Sequence, residues 1–204
     1  MRTLVIDTAT EACSVALFEN DELMARRHAI VGRGHAERLL PLIADFPDKG
    51  RADRIAVDIG PGSFTGVRIG LAAARALSFA WGAALTGYST LSIIAAAARA
   101  AHEHDTLVVV ITGGHGELFW QRFSGVTLDP LSEMASTPIP TLASLLPDER
   151  VFGTGAPALT AARGWGEAVS LHPNSADFLA LPAHLAQLPP RPLYGRGADA
   201  RPGS

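Results

Sequence analysis

The chain has little of several things that commonly decide a protein's class. It carries one cysteine, Cys13, so no internal disulfide can form. Cys13 sits in an alternating apolar stretch, which assigns it the role of a small buried hydrophobe in a reducing compartment, the cytoplasm. No charged leader followed by a long apolar run opens the sequence, and residues 3–7 already read as a strand, so no secretory signal is expected. Arg75 and Arg99 interrupt the two most apolar helical stretches, leaving no run of about 20 apolar residues to span a bilayer. Seventeen Lys and Arg stand against 20 Asp and Glu, a net charge of −3. A protein that binds RNA by itself would show a basic excess or stripe, and neither is visible. None of the seven histidines forms the His-x-x-x-His pair that sets two imidazoles on one helical face for a metal. His102-Glu103-His104-Asp105 could collect an adventitious ion, but it closes a helix, where histidine suits the dipole and solvent.

With 204 residues and 48% hydrophobic composition, the chain can bury one substantial core or two small ones. Periodicity predicts strands at 3–7, 13–18 and 23–28, then a helix over 35–43 that Pro41 should kink. A strand at 54–59 and helices over 65–81 and 91–101 follow. The plan then repeats. Residues 107–111 read as a strand, Thr112-Gly-Gly-His-Gly116 as a turn and 118–123 as an alternating strand. Arg150-Val-Phe-Gly153-Thr-Gly155 and an alanine-rich segment again give strand, glycine turn and helix. The expected architecture is a duplicated α/β unit, with a first half over 1–103 and an eroded second half over 104–204. Pro138, Pro140 and Pro147 mark connections, and a tail rich in proline, glycine and arginine, flexible or lying on the surface, starts near residue 188.

The densest signal is Gly60-Pro61-Gly62-Ser63-Phe64-Thr65-Gly66, between the strand at 54–59 and the long helix. Ser63 or Thr65 can cap that helix and Gly82 can end it. Its free N–H groups and positive dipole end suit an anion, yet the same glycines also serve a tight turn and close packing. Gly66-Val67-Arg68 lacks the Gly-Lys-Ser/Thr of a phosphate-binding P-loop, and Gly62-Ser63-Phe64 lacks the Gly-x-Ser-x-Gly elbow of a serine hydrolase. Gly66, Gly70 and Ala74 form a stripe of small residues that would admit another helix closely. Asp7 ends the first strand, before Thr8 and Thr10, and its readiest role is to accept hydrogen bonds from its own turn. The matching position of the second hairpin is Thr112, so a pair of carboxylates, one from each half, is missing.

The segment 55–71, together with Met1-Arg-Thr-Leu-Val-Ile-Asp7-Thr-Ala-Thr10 and His35-Ala-Glu37-Arg-Leu-Leu-Pro41-Leu-Ile43, resembles the TsaB (YeaZ) family over most of residues 1–100. The resemblance implies the actin-like fold of Hsp70 and the sugar kinases, a ribonuclease H-like unit duplicated with a degenerate second half. It also implies a non-catalytic subunit supporting a TsaD-type enzyme, with a TsaE-type ATPase, in making threonylcarbamoyladenosine at position 37 of tRNAs reading codons that begin with adenine. The chain would form a homodimer when alone, meet tRNA only through the complex, and have no cofactor of its own, ATP and a divalent metal belonging to the partner subunits. A vestigial nucleotide site would comprise Asp7, Thr8, Gly62, Ser63 and Thr65. The partner interface would comprise His35, Leu39, Leu40, Ile43, Gly66, Arg68, Ile69, Gly70, Ala73, Ala74 and Leu77. Two departures stand out: the metal-binding histidine pair of TsaD relatives is absent near 89–94, and Thr112-Gly113-Gly114-His115 replaces the family's Asp-Ala-Arg before Gly-Glu. The alternative is an active small-molecule kinase or metallopeptidase-like enzyme of the same fold.

Overall fold

The computed structural model describes residues 1–102 and 105–193. Alternating apolar residues form β1 (Arg2–Asp7) and β2 (Ala12–Glu19), joined by a tight turn into an antiparallel pair, and β3 (Glu22–Ile30) adds antiparallel to β2. β4 (Arg54–Asp58) and β5 (Ala84–Tyr88) lie parallel to β1, giving the order β3-β2-β1-β4-β5. The second sheet contains β6 (Thr106–Thr112), β7 (Glu117–Ser124), β8 (Ala135–Pro138), β9 (Arg150–Phe152) and β10 (Glu167–Val169). Read as β8-β7-β6-β9-β10, it repeats the order and the strand directions of the first. This is the duplicated α/β architecture of the actin-like fold. The second copy is eroded: β9 and β10 have 3 residues each.

Helices α1 (His35–Ala44) and α2 (Phe64–Trp81) cover one face of the first sheet over Leu4, Ile6, Val15, Ile55 and Val57. The alanine-rich α3 (Thr90–Ala101) shares one buried cluster with Val5, Ala16 and Ala56 of the first sheet and Leu107, Val109 and Phe152 of the second. Its small side chains allow two sheets to close on one helix. Helices α4 (Ile139–Leu145) and α5 (Ala156–Arg163) cover the outer face of the second sheet. The chain then returns to the first sheet through a 3₁₀ turn, Ser175–Ala180, whose Phe178 packs 5.4 Å from Tyr88, and through α6 (Ala183–Ala186). Among the described residues, no helix is long and apolar enough to cross a membrane.

The predicted capping holds: Ser63 Oγ accepts from Gly66 N at 3.2 Å and Gly82 ends α2 in the left-handed region at φ 66°. Helix α1 continues through Pro41 to Ala44. Strands β5, β8 and β10 lack the alternation that would announce them, since each is short and β5 contains Gly87. Residues 188–193 of the expected tail are hydrogen-bonded in place. Leu188 pairs with Gly87 through bonds of 2.7 and 2.9 Å, and Leu193 N donates to Ile59 O at 2.8 Å. Residues 194–204 and the boundary at 103/104 lie outside the described residues.

The small-residue stripe faces inward, which corrects its reading as a partner surface. Gly66, Gly70 and Ala74 are buried against the chain's own first sheet. A Cβ on Gly66 would lie 2.1 Å from Thr8 O, and one on Gly70 would lie 2.5 Å from Thr8 Oγ1 and 3.5 Å from Val57 Cγ2. The glycines let α2 approach the end of β1 backbone to backbone. Gly66→Ala and Gly70→Leu are therefore expected to cost about 3 kcal/mol of folding stability, the upper end of overpacking, whereas Ala76→Leu on the exposed side should stay within about 0.5 kcal/mol. Urea unfolding checks this, and a Gly70→Leu protein with an unchanged midpoint would return the stripe to the surface.

Candidate functional site

In a parallel sheet with helices over its faces, ligand sites form outside the carboxyl ends of the strands. The register Ile6↔Val57 makes Asp7 and Asp58 neighbours at that end of β1 and β4. Both are buried, at 0% and 1% exposure. Asp7 Oδ1 accepts from Ala9 N at 3.2 Å, and Tyr88 Oη donates to Ile6 O at 3.0 Å with Asp7 Oδ2 at 3.4 Å. Asp58 Oδ1 accepts from Gly60 N at 2.6 Å and from Thr90 Oγ1 at 2.8 Å, and Thr90 Oγ1 also lies 2.7 Å from Pro61 O. Asp58 thus fastens the glycine loop to the start of α3.

Asp58 Oδ2 is buried and accepts from no N–H or O–H group. The same carboxyl group lies within hydrogen-bonding reach of Asp7. Two adjacent buried carboxylates cannot both be ionised cheaply. Burial raises both pKa values, and the Asp7 charge pushes Asp58 up further. Retaining one proton resolves the arrangement, and it stays with Asp58, the carboxyl that burial and the Asp7 charge push up furthest. Burial next to the pair also raises the Tyr88 hydroxyl well above the usual phenol range, so it remains a donor. Asp7 does have a carboxyl neighbour, but it is Asp58 of the same half; the pair with one carboxylate from each half remains absent, Thr112 standing at the matching position. The sequence signal was an Asp closing each of two strands, and only their parallel pairing joins them. In the second half the corresponding contact is neutral, with Thr112 N donating to Thr154 Oγ1 at 3.1 Å.

The glycine loop closes over the pair. Ser63 N donates to Ala9 O at 2.7 Å, Thr8 Oγ1 donates to Gly66 O at 2.7 Å, and a Cβ on Gly62 would lie 2.1 Å from Ala9 O. Asp7 and Thr8 are thus enclosed, while Ser63 and Thr65 remain exposed and Gly62 half-buried. The expected interface residues divide in the same way. His35, Leu39 and Ile43 are buried with Gly66, Gly70 and Ala74, and His35 Nε2 lies 3.2 Å from Ala12 O. Leu40 and Arg68 are exposed, and Ile69, Ala73 and Leu77 are half-buried. Cys13 is fully buried, and desolvation pushes its thiol up to about 11. Among the described residues, no group of three or more His, Cys, Asp or Glu could hold a metal.

The family model for "TsaD: tRNA N6-adenosine threonylcarbamoyltransferase" matches residues 28–162. The TsaB protein of Escherichia coli, a "tRNA threonylcarbamoyladenosine biosynthesis protein", is 38% identical over 128 residues, which cover 60% of this chain and 55% of that protein. A YeaZ structure from Pseudomonas aeruginosa superposes with a TM-score of 0.78 at 28% identity, covering 95% of this chain and 99% of that one. The chain belongs to the TsaB (YeaZ) family. Matches to curated TsaB proteins span only about half of their length, 55% in Escherichia coli and 52% in Haemophilus influenzae. An uncharacterised protein of Mycobacterium tuberculosis is 32% identical along 98% of this chain and 93% of its own length.

The shared proton has a consequence for stability. Both native pKa values lie above that of an unfolded aspartate, so the folded TsaB-family chain keeps a proton that the unfolded chain releases. The contribution of the pair is most favourable below about pH 4, the unfolded value. It declines as pH rises toward the native value, by up to about 1.4 kcal/mol per pH unit for one retained proton. In Asp58→Asn the side-chain amide can replace the proton as donor to Asp7. The variant is expected to be more stable than the parent at pH 7 and to lose less stability between about pH 4 and 7. Thermal midpoints across that range check it, and a lower midpoint at pH 7 with an unchanged slope would contradict the shared proton.

Proposed function

We propose that this chain is a non-catalytic scaffold subunit that holds a TsaD-type enzyme in its active arrangement during formation of threonylcarbamoyladenosine at position 37 of tRNAs reading codons that begin with adenine. A TsaE-type ATPase would join the assembly, ATP and a divalent metal would reside in the partner subunits, and the setting would be cytoplasmic. The TsaB relatives, tRNA threonylcarbamoyladenosine biosynthesis proteins, support this reading. One structural observation carries it: the polar machinery at the strand ends is enclosed by the chain's own loop, while apolar side chains stand exposed on the two covering helices. Leu40 of α1 is 51% exposed, and Phe64 and Phe79 of α2 are 59% and 92% exposed. Ala73 and Leu77, on a different side of α2 from Phe64 and Phe79, are half-buried and pack in part on the chain's own core. Large apolar groups left in water on neighbouring helices fit a helix-to-helix contact. A second copy would cover the same face when no partner is present.

The test is reconstitution with a TsaD-type enzyme. Adding this chain should raise the rate of threonylcarbamoyl transfer to tRNA, and no stimulation would refute the proposal. Within it, Leu40→Asp combined with Ala76→Arg should leave the unfolding midpoint within error, because both positions are exposed. Association with the partner, followed by sedimentation, should weaken about tenfold for each 1.4 kcal/mol lost. Unchanged association would move the interface to another face.

A further inference from the structure

The net charge of −3 conceals a local excess of the opposite sign. Residues 26–38 contain Arg26, Arg27, Arg33 and Arg38 against the single acid Glu37. All four arginines are exposed, and none is within ion-pair distance of a carboxylate among the described residues. Strand direction sorts them. Arg26 belongs to the face of β3 turned toward the 3₁₀ turn, where its charge acts on Asp177. Arg27 lies on the opposite face, with its guanidinium carbon 5.7 Å above the Phe46 ring that follows α1. Arg33 stands in the connection from β3 to α1. Arg38 is in the first turns of α1, close enough for its charge to act on Cys13, and Cys13 pairs with Ala29 of β3. Arg27, Arg33 and Arg38 therefore follow one seam, between α1 and the edge strand β3, which among the described residues pairs only with β2.

We propose that the seam lined by Arg27, Arg33 and Arg38 binds the phosphate backbone of RNA. Exposed guanidinium groups without carboxylate partners offer forked donors that match phosphate oxygens. The seam lies on the strand side of α1, whereas Leu40 lies among the apolar side chains assigned above to the protein partner, so both contacts can be made together. Which polyanion is bound rests on the proposed role in tRNA modification. The acidic remainder of the surface limits the interaction to these few phosphates, so it is weak alone and acts on tRNA already held by the complex.

The test measures binding of an unmodified tRNA transcript to the full chain at several salt concentrations. The expected dissociation constant at physiological salt is about 10⁻⁴ to 10⁻⁶ M, the range of non-specific contacts. The logarithmic salt slope should be about −2 to −3, from roughly 0.7 to 0.9 per phosphate. The triple variant Arg27→Glu, Arg33→Glu, Arg38→Glu should lose at least tenfold in affinity and most of the slope, and the corresponding Gln variants should do so with an unchanged thermal midpoint. Arg26→Glu, on the other face, should change the slope little. Absence of binding, an unchanged slope in the triple variant, or an equal loss from Arg26→Glu alone would overturn the proposal. Tighter binding of polyglutamate than of tRNA would also overturn it, by assigning the seam to an acidic protein. The two readings separate cleanly: if the wild-type chain stimulates transfer but the triple variant keeps full affinity, only the RNA seam fails, whereas no stimulation by the wild type removes the scaffold role itself.

Discussion

The contact on which the first sheet depends is the approach of α2 to Thr8. Two glycines one turn apart bring the helix start onto the backbone at the end of β1, where a Cβ would meet Thr8 O at 2.1 Å or Thr8 Oγ1 at 2.5 Å. That approach presses the glycine loop against Ala9, removes Asp7 and Asp58 from water, and makes a shared proton the cheapest state of the pair. In an open relative of the same fold, these strand ends would be where a ligand binds. Here the chain's own loop occupies that place. The pair therefore acts as an internal clamp, joining β1, β4, the glycine loop and, through Thr90, the start of α3.

Duplication followed by divergence explains the division of labour. Both halves keep the same strand order, but the second has Thr112 where the first has Asp7 and shortens its counterpart of α2 from 18 to 8 residues. The core did not split with the sequence, because α3 lies between both sheets and the chain returns through Phe178 to pack on Tyr88. A single continuous interior holds the outer helices still. Rigid presentation of α1 and α2 is what the proposed scaffold role would need from the fold, since an ordered surface loses less freedom on association.

Much of this was legible in the residues. The β1–β2 hairpin, α1, α2 with its Ser63 cap and Gly82 end, α3 and the repeated hairpin all follow from alternation, helical spacing and glycine placement. What escaped has physical reasons. β10 is too short for a period, and β5, whose alternation Gly87 breaks, is held by pairing with β4 and with Leu188, a distant partner no local pattern encodes. The stripe of Gly66, Gly70 and Ala74 signals close packing without saying against what, and the answer was the chain's own sheet. Asp58 went unread because its meaning comes from lying beside Asp7, a consequence of strand order. The arginine seam was averaged away by composition and became visible only when β3 and α1 were placed side by side.

In the proposed scaffold role, the outward helices, and not the enclosed carboxyl pair, do the work. The most direct measurement is threonylcarbamoyl transfer by a TsaD-type enzyme supplemented with Asp58→Asn or with Leu77→Arg at equal concentration of folded protein. Near-normal stimulation is expected with Asp58→Asn, whose proton is replaced in kind, and loss of most stimulation with Leu77→Arg. Full stimulation by Leu77→Arg together with failure of a folded, partner-bound Asp58→Asn would contradict that role, and would make the buried pair part of the chemistry.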